Sequence, residues 1–107
     1  MSAIFLTAAI LLEIVATLSL RASDGFSKPV PTLAAVAGYV LAFALLAQAL
    51  KTIEVGVAYA VWSGVGTAAI TIIGILALGE SAAALKLLGT AMIVVGVVVL
   101  NLSDATG

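Results

Sequence analysis

Four long apolar runs leave this chain few ways to fold. They extend from about Ile4 to Leu20, Thr32 to Leu50, Val55 to Leu78 and Leu85 to Leu102. A helix needs about 20 apolar residues to cross ~30 Å of hydrocarbon, and each run meets or nearly meets that length. Lipid offers a backbone no hydrogen-bond partner, so only helices and closed barrels satisfy every N–H and C=O there. The runs are too long for barrel strands and lack their alternation. The expectation is an all-α membrane protein: one transmembrane domain over residues 1–107, with helices at about 4–20, 32–50, 55–78 and 85–102. Composition agrees, with 64% of residues hydrophobic and 8% charged. A soluble domain carries about 25% charged residues, and this chain has too few to cover a water-facing surface.

Nearly all the charge falls between the runs. Arg21, Asp24 and Lys28 occupy the first break, Lys51 and Glu54 the second, Glu80 the third with Lys86 at its edge, and Asp104 lies beyond the last run. The first break, RASDGFSKPVP, has the Gly and paired Pro that punctuate helices. The second, KTIE, is so short that its helices are expected to form a tight antiparallel hairpin. Loops one and three carry Arg21, Lys28 and Lys86, whereas loop two and the termini carry Lys51 and the α-amino group. Positive-inside counting therefore favours loops one and three in the cytoplasm by a margin of only one or two cations, a bias weak enough to leave insertion in both orientations open. Met1-Ser2-Ala3 is no basic n-region, and no small-x-small cleavage site follows the first run convincingly, so that run is expected to remain in the mature protein.

The same composition excludes several chemistries. A net charge of −1 offers no basic face to nucleic acid. The absence of cysteine removes disulfides and thiolate catalysis. The absence of histidine removes the commonest metal ligand and the usual proton shuttle. No metal site and no cofactor are expected, and carboxylates are left as the groups for proton chemistry.

Glu13 is the one charged residue deep inside a run, Lys86 standing at the very start of the fourth. It stands nine residues from Ile4, about 13 Å along a helix and close to the bilayer midplane. A charge at that depth costs about 2.5–3.5 kcal/mol on insertion scales, and such residues are functional by default. This carboxylate can hold a proton, or release it and hold a cation. The bland alternative is a protonated Glu bonded to a neighbouring helix. One turn away lie Ala9, Ile10, Ala16 and Thr17, small enough in part to leave room for a ligand or a partner helix, or simply to pack.

In the third run Tyr59, Trp62, Ser63 and Gly66 follow i, i+3, i+4, i+7 and share a face. Trp62 lies about 10 Å beyond Val55, deeper than an interfacial belt residue needs to be. Its ring is the best face for a cation, though helix-spaced aromatics also serve as filler. Behind that face run Gly56, Ala60, Gly64 and Ala68, a row that permits close helix contact. Gly64-Val65-Gly66 allows a bend. Gly89 and Gly96 share a face of the fourth run, flanked by Met92 and Ile93, and form a notch for another helix. On the second run Tyr39, Phe43 and Leu46 align to line a cavity or to pack.

The segments LLEIVATLSLRASDGF, YVLAFALLAQAL and GVAYAVWSGVGTA, with the Gly89–Gly96 spacing, resemble the small multidrug resistance family of bacterial inner-membrane exporters. The likeness covers nearly the whole chain. It implies an antiparallel homodimer of four-helix subunits in opposite orientations, with one substrate site containing Glu13 from both chains. Protons and small organic cations would compete for that pair, and the proton gradient would drive export. By the same resemblance helices one to three line the cavity, and Thr17, Tyr39, Phe43, Tyr59, Trp62 and Ser63 take substrate-pocket positions. Gly64 and Gly66 take the kink of helix three, and Gly89 and Gly96 form the dimer contact.

One branch of the family exports guanidinium and another exports hydrophobic quaternary ammonium compounds. The guanidinium branch has E-V-x-W in helix one and W-T-G in helix three. Here those positions read Glu13-Ile14-Val15-Ala16 and Trp62-Ser63-Gly64, and Ala42 stands where that branch tends to have serine. The resemblance is therefore to the multidrug branch, although Ala3 replaces a frequent tyrosine and Ala16 a usual glycine. Alternatives are a guanidinium or polyamine exporter, a paired heterodimer, a proton-ring subunit of a rotary ATPase, and a structural membrane protein. The ring subunit needs a two-helix hairpin, and four runs with a Trp in the third count against it.

Overall fold

The computed structural model describes residues 2–106, with side chains through residue 103. They form four helices and, among the described residues, no strand: α1 (Ser2–Ala22), α2 (Pro29–Ala49), α3 (Val55–Ala77) and α4 (Ala84–Thr106). All four are long and apolar enough to span a membrane. Met1, whose α-amino group enters the charge count, lies outside the described residues.

The helix ends differ from the sequence reading for local reasons. α2 begins at Pro29, ahead of Thr32. The first N–H groups of a helix have no intrahelical partner, so proline is tolerated in the first turn. Lys28 precedes it in the extended conformation, φ −103° and ψ 117°, as a residue before proline prefers. α4 runs past Leu102 to Thr106, which places the backbone of Asp104 in the helix.

Two compact units make up the chain, Met1–Glu54 and Val55–Gly107. In the first, α1 packs along α2. The buried residues of α1 are Leu6, Ala9, Ile10 and Ala16, and those of α2 are Ala35, Gly38, Ala42, Leu46 and Ala49. Both sets recur at helical spacing and consist largely of small residues, which lets membrane helices approach closely. The connector turns through Asp24, Gly25 and Phe26, all with positive φ. Ser23, fully buried, anchors it: its Oγ donates to Leu20 O at 2.6 Å and accepts from Phe26 N at 3.1 Å. At the other end of the unit Ser2 and Thr52 hydrogen-bond through their hydroxyls.

In the second unit α3 packs on α4. Val97 and Ile93 of α4 sit over the bare backbone of Gly64, where an added Cβ would meet Ile93 Cγ2 at 3.3 Å and Val97 Cγ2 closer still. α4 itself buries none of its membrane-spanning residues, Ala84–Ser103. Beyond α3, Leu78 N and Glu80 N both donate to Gly74 O, at 3.1 and 3.0 Å. The Glu80 carboxylate folds back onto Gly74, into space a side chain there would fill.

Large apolar residues dominate the exterior: Leu85 is 82% exposed, Leu76 80% and Val30 77%. A water-soluble monomer rarely shows so extensive an apolar surface, and lipid is the solvent that suits it. The protein is a multi-pass membrane protein.

Candidate functional site

Glu13 belongs to the inward side of α1, flanked along the helix by Ala9, Ile10 and Ala16. The space that small neighbours leave beside it is partly taken by α2, because the Ala16 methyl lies over Gly38. That close crossing brings Tyr39, the residue after Gly38, within reach of Thr17. Thr17 Oγ1 donates to Glu13 Oε1 at 2.8 Å, and the same oxygen lies 2.7 Å from the hydroxyl of Tyr39. The result is a three-member chain, Tyr39–Thr17–Glu13, spanning the two helices. Glu13 Oε2 is buried and has no hydrogen-bond partner among the described residues. One carboxylate oxygen is hydrogen-bonded, and the other is without a partner among the described residues.

Tyr39 also faces an apolar groove of about 340 Å³, lined with it by Leu20, Phe26, Val36, Val40 and Phe43. Its ring stacks on that of Phe43 with centroids 6.3 Å apart. The structure thus brings Glu13, Thr17, Tyr39 and Phe43 together within the α1–α2 unit. Leu46, aligned with Tyr39 and Phe43 in the sequence, is buried instead.

The remaining residues lie in the α3–α4 unit. Tyr59 and Trp62 meet edge to face with centroids 5.7 Å apart. Tyr59 is exposed and Trp62 half-buried. Ser63 Oγ donates to Tyr59 O at 2.7 Å, the back-bond a helical serine makes one turn down. Gly64 and Gly66 are both buried, within an unbroken α3. Of the row Gly56, Ala60, Gly64 and Ala68, Gly64 seats α4 side chains, whereas a Cβ on Gly56 would meet nothing within 4 Å. Gly89 and Gly96 likewise face open space within the chain. Sequence reasoning missed the Ala16–Gly38 crossing, the buried Ser23 and the return of Glu80 onto Gly74. The first had a signal, a small residue on each helix, but not their pairing.

Comparison with known proteins then decides the family. Residues 1–94 match the family described as Small Multidrug Resistance protein. The chain belongs to the Small Multidrug Resistance family. It is 47% identical over 106 residues to the multidrug resistance protein mmr of Mycobacterium leprae, covering 98% of this chain and 99% of the relative. It is 48% identical over 99 residues to the quaternary ammonium compound-resistance protein QacE of Escherichia coli, covering 92% and 90%. A guanidinium exporter of Salmonella typhimurium is also similar, 45% identical over 103 residues, covering 96% and 98%. Small Multidrug Resistance proteins are a family of membrane transporters, not of enzymes.

Proposed function

We propose that this Small Multidrug Resistance chain is a proton-coupled antiporter that exports lipophilic cations, both quaternary ammonium and aromatic, across a bacterial inner membrane. The observation that carries the reading is Glu13, a mid-membrane carboxylate with one oxygen held by Thr17 and the other unpartnered among the described residues. Protons and the cation compete for Glu13 of both subunits. A site that has taken protons releases drug outward, and a site that takes drug gives its protons inward, so the proton gradient is the energy source and no cofactor is needed.

Tyr39 and Phe43 on α2, and Tyr59 and Trp62 on α3, supply aromatic faces for an organic cation, with Thr17 and Ser63 as the neighbouring hydroxyls. Gly64 and Gly66 give α3 a place to bend between two states. The active form is an antiparallel homodimer, and the open glycines Gly89 and Gly96 on an otherwise unburied α4 support a helix partner there. The apolar groove beside Tyr39 and the alanines at 16 and 42 favour greasy cations over guanidinium, whose N–H groups need hydrogen-bond acceptors.

The guanidinium reading has a specific observation behind it, the similarity to a guanidinium exporter. One experiment separates the two: purified protein in liposomes under an imposed pH gradient, offered a quaternary ammonium compound and guanidinium side by side. Proton-driven uptake of the first and little of the second is expected. The reverse preference would move the chain to the guanidinium branch, and uptake of neither would end the antiporter reading.

A further inference from the structure

We propose that Thr17 is a polarity switch: the hydrogen-bond chain Tyr39–Thr17–Glu13 reverses direction when Glu13 takes up a proton, carrying the charge state of the carboxylate to the ring of Tyr39. The proposal rests on the reading above that Glu13 exchanges a proton.

The argument is one of counting hydrogens. A threonine hydroxyl has a single proton and two lone pairs. With Glu13 ionised, that proton points at Oε1, 2.8 Å away. The 2.7 Å contact between Thr17 Oγ1 and Tyr39 is then a donation by the tyrosine. The chain runs from Tyr39 through Thr17 to the carboxylate, every donor aimed at the negative charge.

A proton arriving on Glu13 must choose an oxygen. On Oε2, which has no partner among the described residues, it would be a buried O–H donor without an acceptor, a costly arrangement. On Oε1 it donates to Thr17 Oγ1. The Thr17 proton must then turn away from Oε1, and the Tyr39 oxygen, 2.7 Å away, is the acceptor it reaches without a change of side-chain rotamer. Tyr39 changes from donor to acceptor while the three oxygens keep their spacing, and its own O–H, on a half-buried side chain, swings away from Thr17 and out of the chain. Only O–H bonds turn, and no proton passes along the chain. No charged group competes from the packed helix: α2 holds no Asp, Glu, Lys or Arg, and its one titratable residue is Tyr39. On α1 the other charge is Arg21, in the last turn, about 12 Å along the helix from Glu13.

The reversal matters because of where Tyr39 sits. Hydrogen bonds in a chain polarise one another in a low-dielectric setting. A phenol that donates toward a carboxylate has a more electron-rich ring than one that accepts. A richer ring attracts a cation more strongly, and this ring lines the groove shared with Phe43. Losing the proton therefore both frees the carboxylate and improves the aromatic wall beside it. Thr17 acts through its neighbours and is a positioning residue.

Infrared difference spectroscopy of the full chain in lipid vesicles, recorded against pH, tests this. The carboxylic C=O band of Glu13 is assigned by its loss in Glu13→Gln. The C–O band of Tyr39, whose position separates a donating phenol from an accepting one, is assigned by its loss in Tyr39→Phe. The two bands are expected to titrate together in the wild type. Thr17→Val, which puts a methyl where the hydroxyl was, is expected to keep the Glu13 transition and lose the Tyr39 shift, and Thr17→Ser to restore it. A Tyr39 band that stays fixed while Glu13 titrates in the wild type, or that moves as far in Thr17→Val, overturns the switch and leaves proton exchange standing. A Glu13 band that does not titrate overturns both.

Discussion

Ala16 on α1 stands over Gly38 on α2 so closely that a Cβ added to Gly38 would lie 2.8 Å from the Ala16 methyl and 3.3 Å from its Cα. A methyl on a helix backbone has no rotamer with which to withdraw, so the helices themselves would have to part. Overpacking of this kind costs about 1–3 kcal/mol, and the gain in helix propensity from glycine to alanine returns at most about 1 kcal/mol. Gly38→Ala is expected to destabilise the α1–α2 unit, read as a lower unfolding midpoint in detergent titration. Adding Ala16→Gly should recover most of the loss. A Gly38→Ala protein as stable as the wild type would mean the crossing is not tight.

The glycines of the second unit divide into two kinds. Gly64 has Val97 and Ile93 over it, whereas Gly89 and Gly96 meet nothing within 4 Å. Gly64→Ala should therefore disturb the protomer and be relieved by Val97→Ala. Gly96→Val should leave helical content and protomer stability intact and reduce the dimer fraction, measured by cross-linking in lipid. An undiminished dimer would remove Gly89 and Gly96 from the interface.

Trp62→Ala is expected to weaken aromatic cations more than small ones. Trp62 contacts Tyr59 edge to face and is only half-buried, leaving ring surface for a ligand. A cation–π contact is worth about 0.5–2 kcal/mol, a loss of affinity from about twofold to about 30-fold. Equilibrium binding of a planar aromatic cation and of tetramethylammonium decides it. Equal losses for both, with lower stability, would make Trp62 a packing residue.

The near balance of Lys and Arg across the membrane predicts insertion in both orientations. Because the chain has no cysteine, a single cysteine placed in any loop is a clean reporter. Each should be labelled from both sides of the membrane. Labelling from one side only would sink the antiparallel dimer. Two or three added lysines in the loop between α2 and α3 should bias insertion and lower activity.

How much of this was legible in advance depends on the scale of the interaction. Four spans follow from run length and hydropathy, which are properties of segments. The start of α2 was misplaced because Pro29 and Pro31 read as breakers, whereas a first turn accepts them. The Glu13–Thr17 bond was within reach of an i, i+4 count. Its continuation to Tyr39 was not, because which turn of α2 lies opposite Thr17 depends on how the two helices cross, and that is fixed where Ala16 meets Gly38. Likewise Gly56 and Gly64 share one row in the sequence, yet only Gly64 receives α4 side chains. A helix face shows what can pack, and the partner decides what does.

Glu13 carries the most exacting prediction. If proton and cation share this carboxylate, binding the cation must displace protons. Protons therefore act as competitors at low pH, and cation affinity must rise with pH until the carboxylates are ionised, then level off. Glu13→Gln has no proton to exchange, is neutral at every pH, and keeps an Oε1 acceptor for the Thr17 hydroxyl that now bonds Glu13. It should fold normally and lose pH-dependent binding and export together. Glu13→Asp keeps the charge on a shorter stem and pulls the carboxylate away from Thr17, so binding should survive with a shifted pH profile. The checks are cation affinity across pH in purified protein and proton-driven uptake in liposomes. Purified Glu13→Gln protein that still drove proton-coupled uptake would end this mechanism and leave Glu13 a structural residue, bonded to Thr17 and nothing more.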